Sequence, residues 1–316
     1  MSDLAVGGVL AIGECMLELS ESPSRDAGQL QLGFGGDTLN TAIYLSRLGV
    51  PTGYVTALGD DRHSDWLIDC WHREHLDTQG VERIAGTRPG LYWIKTDEHG
   101  EREFSYWRKE APVRQLLDDH ERVARLRTLL SKAQYIYLSG ITLSLFSAAS
   151  WNTLLELLDG ARAEGAKIVF DGNYRPAGWD SKDEAQERFE SLCRKVYMAL
   201  PTFEDEQQLF GDGSPEETQA RLAALGVAEV VVKQGPSGCH IWTDRGPLSV
   251  PVPRVVKPID TTSAGDSFNA GYLAARFEGQ DPEQAARLAH RLASIVIQHR
   301  GAIVPAEAMA TVRGTD

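Results

Sequence analysis

The strongest constraint on the fold is an alternation. Short apolar, β-prone runs ("GVLAIGE", "GYVTALG", "QYIYLSG", "KIVFDGN", "VYMALPT" and "EVVVKQG") are separated by stretches with helical spacing. Several runs are nearly continuous in apolar residues, as strands of a parallel sheet covered on both faces must be. Strand–helix–strand order with right-handed crossovers builds a doubly wound, mostly parallel α/β sheet with helices on both faces. "DTLNTAIYLSRLG" opens at Asp37, a candidate helix cap, and closes at Gly49, a glycine suited to the position just past a helix. "SAASWNTLLELLDGARAEG" and "PEQAARLAHRLASIVIQHRG" are longer and repeat apolar residues at three- and four-residue steps.

One region breaks the alternation. "GLYWIKTDEHGEREFSYWRKE", Gly90 to Glu110, reads as a β-hairpin turning near "DEHG". The two-residue period puts Tyr92 with Ile94 on one face, and Tyr106 with Arg108 on a face of the return strand. A hairpin that interrupts a wound sheet projects from it, so a flap or lid is expected. There is no internal repeat, low-complexity tract or linker. The expectation is one compact core over residues 1–316 with an inserted β lid.

Bulk properties narrow the function. With 316 residues, 42% of them hydrophobic, the chain can bury a substantial core. Its net charge of −13 disfavours nucleic acid and anionic membrane as partners, because both are bound through Lys/Arg patches. The N-terminus lacks the basic start and small-residue cleavage site of a secretory signal, and no apolar run approaches the ~20 residues of a membrane span. Cys15, Cys70, Cys193 and Cys239 are scattered without a C-x-x-C pair, which indicates neither a disulfide framework nor a zinc site. A cytoplasmic protein is expected.

Four motifs carry chemistry. In "DTTSAGDSFNAG", Gly265 permits a sharp turn, and Phe268, Tyr272, Ala275 and Phe277 then mark one side of a helix. Ala264, Gly265 and Asp266 are therefore expected at a helix N-terminus, where N–H groups and the helix dipole favour phosphate. Asp266 is either the cap of that helix or a base that takes the proton of an attacking hydroxyl. "LGFGGDTLNTA" is not a dinucleotide loop, since the third glycine of G-x-G-x-x-G is missing, and the absence of any Gly-Lys dipeptide excludes a Walker loop. Gly35 and Gly36 form either a plain loop or a close approach to a polar ligand, with Asp37 and Asn40 meeting its hydroxyls. "VVVKQGPSGCHIW" is a tight hairpin, or a backbone that lies along a nucleotide between Gly235 and Gly238. "DGNYRP" follows a strand at the carboxyl end, where open α/β sheets bind ligands, and its Arg175 can pair with a carboxylate or phosphate. His72 and His75, three apart on a helix, have no partner for a metal and read as surface histidines.

Taken together, these segments resemble the ribokinase-like (PfkB) family of sugar kinases. "DTTSAGDSFNAG" is similar to the family's C-terminal signature and "GFGGDTLNTA" to its sugar-binding glycine pair, and the likeness runs from "AIGECMLELS" to "HRGAIVP". "GECMLELS", "PGLYWI" and "YWRKEAP" add a likeness to the members acting on 2-keto-3-deoxygluconate. The resemblance implies ATP-dependent phosphorylation of that sugar acid at its terminal (C6) hydroxyl, with Mg2+ and, in many relatives, K+. It implies Asp266 as base, with the N–H groups of Ala264 and Gly265, beside Ser263, holding the phosphoryl group. Gly35, Gly36, Asp37 and Asn40 would hold the sugar acid under Tyr92, Tyr106 and Arg108, with Arg108 and Arg175 facing its carboxylate. Lys233, Gly235, Gly238, Ser294 and Gln298 would line the adenine pocket, and Asn173 would lie by the nucleotide. Asp260 and Thr262 would belong to a monovalent-cation loop.

The lid is implied at roughly 14–36 and 88–112, with pairing of subunits through it. Two departures stand out. Ser263 replaces a glycine of the signature, and Thr202 and Asp205 stand where the family has Asn-x-x-Glu for magnesium and phosphate. An ordinary carboxylate of pKa about 4 would serve as the base in a loose phosphoryl transfer. The rival expectations are a kinase for a neutral sugar such as fructose or ribose, and a sugar-acid sensor without turnover. A nicotinamide oxidoreductase has the wrong loop glycines.

Overall fold

A computed structural model describes residues 7–21, 29–96 and 102–313. The strands of the large sheet are β1 (Val9–Ile12), β4 (Thr52–Leu58), β5 (Val81–Arg83), β8 (Tyr135–Ser139), β9 (Lys167–Asp171), β10 (Met198–Ala199), β11 (Glu229–Lys233), β12 (Cys239–Thr243) and β13 (Gly246–Val250). Their order across the sheet is β13-β12-β11-β10-β9-β8-β1-β4-β5. Neighbours from β11 through β5 run parallel, and only β12 and β13 are antiparallel. All six expected apolar runs are strands here. The "VVVKQGPSGCHIW" segment is a hairpin, with β11 and β12 in register from Val230–Trp242 to Lys233–Cys239.

The helices are α1 (Asp37–Arg47), α2 (Arg62–Arg73), α3 (His120–Leu130), α4 (Gly140–Leu143), α5 (Ala148–Ala163), α6 (Lys182–Cys193), α7 (Phe203–Phe210), α8 (Pro215–Ala224), α9 (Ala264–Phe277) and α10 (Pro282–Val296). Strand periodicity explains how they divide between the faces. Val9, Ala11, Tyr137, Val169 and Val231 point to one face, where α1, α2, α9 and α10 bury Leu39, Trp71, Tyr272 and Leu292 against them. Leu10, Ile12, Ile136, Ile168 and Val230 point to the other, against Leu126, Leu157, Phe189 and Leu222 of α3, α5, α6 and α8. Short polar caps start several of these helices: Ser147, Ser181 and Ser214 each accept from an N–H in the first turn, and Asp281 forms a reciprocal capping box with Gln284.

A second, four-stranded sheet stands apart in the order β3-β2-β6-β7, from β2 (Met16–Glu21), β3 (Leu30–Gly35), β6 (Gly90–Thr96) and β7 (Arg102–Trp107). The expected hairpin is β6 with β7, antiparallel from Leu91–Trp107 to Thr96–Arg102, and its turn near "DEHG" lies outside the described residues. Tyr92 and Ile94 do share a buried face, at 8% and 7% exposure, while Arg108 falls just past the end of β7. Gly35, the last residue of β3, runs straight into α1, so the small sheet delivers the chain to the carboxyl edge of the large one.

Candidate active site

Two helix N-termini meet at that edge. α9 begins at Ala264, after Ser263 in the left-handed conformation at φ 64°, which a glycine would adopt without strain. Asp266 is the third residue of the helix, so it is not the cap. Its carboxylate instead accepts from the Asn40 amide of α1 at 2.8 Å. Ala264 N–H already donates to the Thr261 carbonyl at 3.2 Å, while Gly265 and Asp266 stand in the first turn, where helix N–H groups lack intrahelical acceptors. Oδ1 of Asn40 is buried and has no hydrogen-bond partner, a gap that a bound polar ligand would fill.

The glycine pair before α1 is required by space. A Cβ on Gly36 would sit 2.0 Å from the Glu14 carbonyl oxygen, and one on Gly35 2.6 Å from the Tyr92 hydroxyl. Asp37 is the first residue of α1, one place inside the cap position expected of it. Gly36 takes that position, and the Asp37 carboxylate accepts from the Asn173 amide at 2.7 Å. Asn173 holds φ 33° in the loop after β9, a strained backbone for a residue with a side chain. Gly35, Gly36, Asp37, Asn40, Asn173 and Asp266 are thus brought together from both halves of the chain.

Acid groups crowd this edge. Burial lifts the Asp266 pKa to about 7, with the Asp37 and Asp171 carboxylates adding to the rise and the Asn40 amide opposing it. That is well above the ordinary value expected from sequence, because the half-buried carboxyl loses part of its hydration and faces other carboxylates. Burial likewise raises Asp37, against hydrogen bonds from Ser139 and Asn173. Asp205, in the first turn of α7 after Thr202, is raised by burial and held back by Arg175, whose guanidinium lies 3.0 Å away. Lys233 is only 6% exposed; its ammonium donates to Asp171 at 3.1 Å and to Asn269 at 2.9 Å. It therefore lies beneath the α9 turn, apart from the exposed glycine turn that follows it.

The small sheet covers the same edge. Tyr92 donates to Glu18, and its ring stands 6.1 Å from that of Tyr106, which is 54% exposed. Arg108 forms an ion pair with the buried Glu14, which follows β1. Both arginines expected to face a substrate carboxylate thus carry an acid partner already.

Other expected residues lie farther along the sheet. Gly235 and Gly238 have φ 50° and 104° in the β11–β12 turn, so both need glycine. Gln298, just beyond α10, donates to the Ser294 carbonyl at 2.7 Å. Asp260 accepts from Thr262 N–H at 3.0 Å and from Gly301 N–H at 2.7 Å, joining two loops. His75 lies past the end of α2 at φ 58°, so it does not share a helix with His72, and the four cysteines are buried free thiols. Among the described residues no cluster of three or more metal-ligating side chains occurs, and no helix is long and apolar enough to cross a membrane.

Sequence reasoning missed Glu14, Glu18, Asp171 and Asn269. Glu14 and Glu18 had a signal: two carboxylates inside the otherwise apolar "AIGECMLELS". Asn269 had none, because its role depends on two strands far away in the chain.

Comparison with known proteins bears on this geometry. Residues 7–309 match the model of the pfkB family carbohydrate kinases. The chain is 45% identical to the 2-dehydro-3-deoxygluconokinase of Escherichia coli K12 over 308 residues, 95% of this chain and 98% of that protein. Its fold matches the solved 2-dehydro-3-deoxygluconokinase of Thermotoga maritima with a TM-score of 0.83 at 19% identity, over 97% of this chain and 98% of that one. It also matches the ATP-bound fructokinase of Xylella fastidiosa with a TM-score of 0.82 at 22% identity, over 96% and 97% of the two chains.

Proposed function

The chain belongs to the pfkB family of carbohydrate kinases, and from that premise we propose that it phosphorylates 2-keto-3-deoxygluconate, which is 2-dehydro-3-deoxygluconate, at the C6 hydroxyl. ATP is the donor, and 2-keto-3-deoxy-6-phosphogluconate and ADP are the products. The 45% identity to the Escherichia coli K12 2-dehydro-3-deoxygluconokinase supports the substrate. The observation that carries the chemistry is the 2.8 Å hydrogen bond from Asn40 to Asp266, which sets a carboxylate of the C-terminal signature beside the N-terminal glycine pair.

In this reading Gly35, Gly36, Asp37 and Asn40 hold the sugar acid, and the unpartnered Asn40 Oδ1 accepts from one of its hydroxyls. Asp266 takes the C6 proton as the oxygen attacks the γ-phosphorus. A carboxyl poised near neutrality suits a general base. The first-turn N–H groups of α9, with Gly265 foremost and Ala264 beside it, hold the transferred phosphoryl as its charge spreads over the equatorial oxygens. Asn173, Gly235, Gly238, Ser294 and Gln298 surround the nucleotide, with Ser263 at the phosphate turn; Lys233, expected beside them, is instead bonded to Asp171 and Asn269.

Mg2+ bound with ATP supplies neutralisation of the phosphate charge. Asp205 fits it: a hard oxygen donor, 16% exposed, whose ionised form gains from an added cation, with Thr202 alongside. Magnesium keeps several waters and phosphate oxygens, so a single carboxylate suffices. Asp260 and Thr262 would belong to the loop that holds K+, which Asp260 ties to the backbone at Gly301.

The small sheet acts as a lid, from residues 14–36 and 88–112 of one kinase domain spanning 1–316. Tyr92 and Tyr106 close over the sugar and exclude water. Its outer face, with Leu32, Trp93 and Trp107 exposed, pairs with a second copy. Use of ATP accords with a cytoplasmic setting.

One observation favours a neutral sugar: Arg108 and Arg175 already pair with Glu14 and Asp205. The test is coupled ATP turnover on 2-keto-3-deoxygluconate, gluconate, fructose and ribose at equal concentrations. Selective turnover of the keto acid is expected. Preference for fructose or ribose would retire the carboxylate role of both arginines and leave Asp266 in place.

A further inference from the structure

A lysine is buried beneath the phosphate turn. Lys233 ends β11, and its ammonium donates to Asp171 Oδ1 of β9 at 3.1 Å and Asn269 Oδ1 of α9 at 2.9 Å. Asn269 closes the triangle by donating to Asp171 Oδ2 at 2.8 Å, and it reaches the Tyr137 hydroxyl at 3.0 Å. The Thr41 hydroxyl then lies 3.3 Å from Tyr137 and 3.2 Å from the Asp266 carbonyl. Asp171, Tyr137, Thr41 and Asn269 are 3% exposed or less. The chain of contacts thus runs from the middle of the large sheet to the backbone of the candidate base.

Burying an ion pair is expensive, and apolar side chains of the same volume would serve packing as well or better. The surroundings give this pair a reason. Asp37, Asp171, Asp205 and Asp266 crowd the edge, and transfer brings the charges of a triphosphate to the same place. Lys233 is the cation buried among them. Its Nζ lies 3.6 Å from where a Cβ on Gly265 would stand, directly under the turn.

We propose that Lys233 is a positioning residue for phosphoryl transfer. Through Asn269, in the second turn of α9, it ties the start of that helix to β9 and β11, and its charge offsets the surrounding carboxylates so that a phosphoryl group is accepted there. The inference rests on reading that turn as the phosphoryl site.

The test uses the full-length enzyme with ATP and whichever sugar it turns over, in three variants: Lys233→Gln, Lys233→Gln with Asp171→Asn, and Asp266→Asn. Lys233→Gln is expected to lose about 10²-fold in kcat, the scale of a small misplacement of reacting groups, with both KM values held within about threefold. The double variant keeps amide hydrogen bonds without either charge. It is expected to regain the thermal stability of the parent but not its kcat. If Lys233→Gln does not fold, the double variant carries the test alone.

A folded Lys233→Gln with kcat within about twofold of the parent, or a double variant that recovers kcat along with Tm, would make Lys233 a scaffold residue and sink the proposal. So would an unchanged kcat with a raised ATP KM, which marks simple nucleotide binding. Near-normal turnover in Asp266→Asn would remove the site reading beneath it. Loss there, with normal turnover in Lys233→Gln, overturns this inference alone.

Discussion

The large sheet hides its apolar side chains: Val9 to Ile12 and Tyr135 to Ser139 are buried along their whole length. The small sheet displays them, with Trp107 57% exposed, Tyr106 54%, Leu30 44% and Phe104 41%. Strands packed between two helical layers cannot shift without opening the core, so groups mounted on their ends and on α1 and α9 are held rigidly. Strands β2, β3, β6 and β7 gather a small buried cluster of Met16, Tyr92 and Ile94 on one face, and on the other only their base, at Leu17, Phe34 and Leu91, packs into the main core among the described residues. A sheet covered less fully is the one the proposed function uses as a lid and as the face for a second copy. On the proposed function, chemistry falls to the large sheet's edge and selection of the sugar to the small sheet.

Removing the base should break the comparison hardest. Asp266→Asn is expected to lower kcat by 10²–10⁴, the scale of general-base loss, with sugar binding retained in calorimetry. Near-normal turnover would leave the large-sheet edge without its chemistry. Next comes the cover: Arg108→Ala should reduce preference for the keto acid over fructose by about 10–10², the worth of a charged hydrogen bond. The ratio is the readout, because the variant also leaves Glu14 buried without its cation and so loses stability. An unchanged ratio would move selection elsewhere.

A smaller effect follows from pH. Asp266 is a carboxyl whose pKa rises on folding, from 3.8 to about 7. The folded state therefore binds its proton more tightly, and the destabilisation from ionising it is absent below about pH 4 and complete above about pH 7. Asp266→Asn should melt a few °C above the parent at pH 8 and lose that advantage toward pH 4. The parent's kcat should fall as pH drops through 7, where the base becomes protonated. A flat difference in Tm across this range would contradict the buried-carboxyl account. The smallest effect on rate is expected at the outer face of the small sheet. Trp107→Glu should reduce the apparent mass in gel filtration while kcat stays within about twofold, as for a surface change. An unchanged elution volume would rule out pairing through that face.

Much was legible in the sequence where the physics is local. Continuous apolar runs bounded by turn residues become strands buried on both faces, and helical spacing with Gly49 behind it ends a helix where it should, whereas the turn expected at Gly265 is made by Ser263, with Gly265 inside α9. Those features determined the doubly wound sheet, the inserted hairpin and the placement of Ala264 to Asp266 at a helix start. The tertiary structure alone decided the rest. Asp37 missed its cap position because Gly36, pressed against the Glu14 carbonyl, took it. Arg108 and Arg175 found acid partners 94 and 30 positions away, and Lys233 found its partners 62 and 36 positions away. Asp266 acquired its raised pKa from burial and from carboxylates on other elements. Charge, desolvation and pairing depend on distance in space, and no local pattern of residues carries that information.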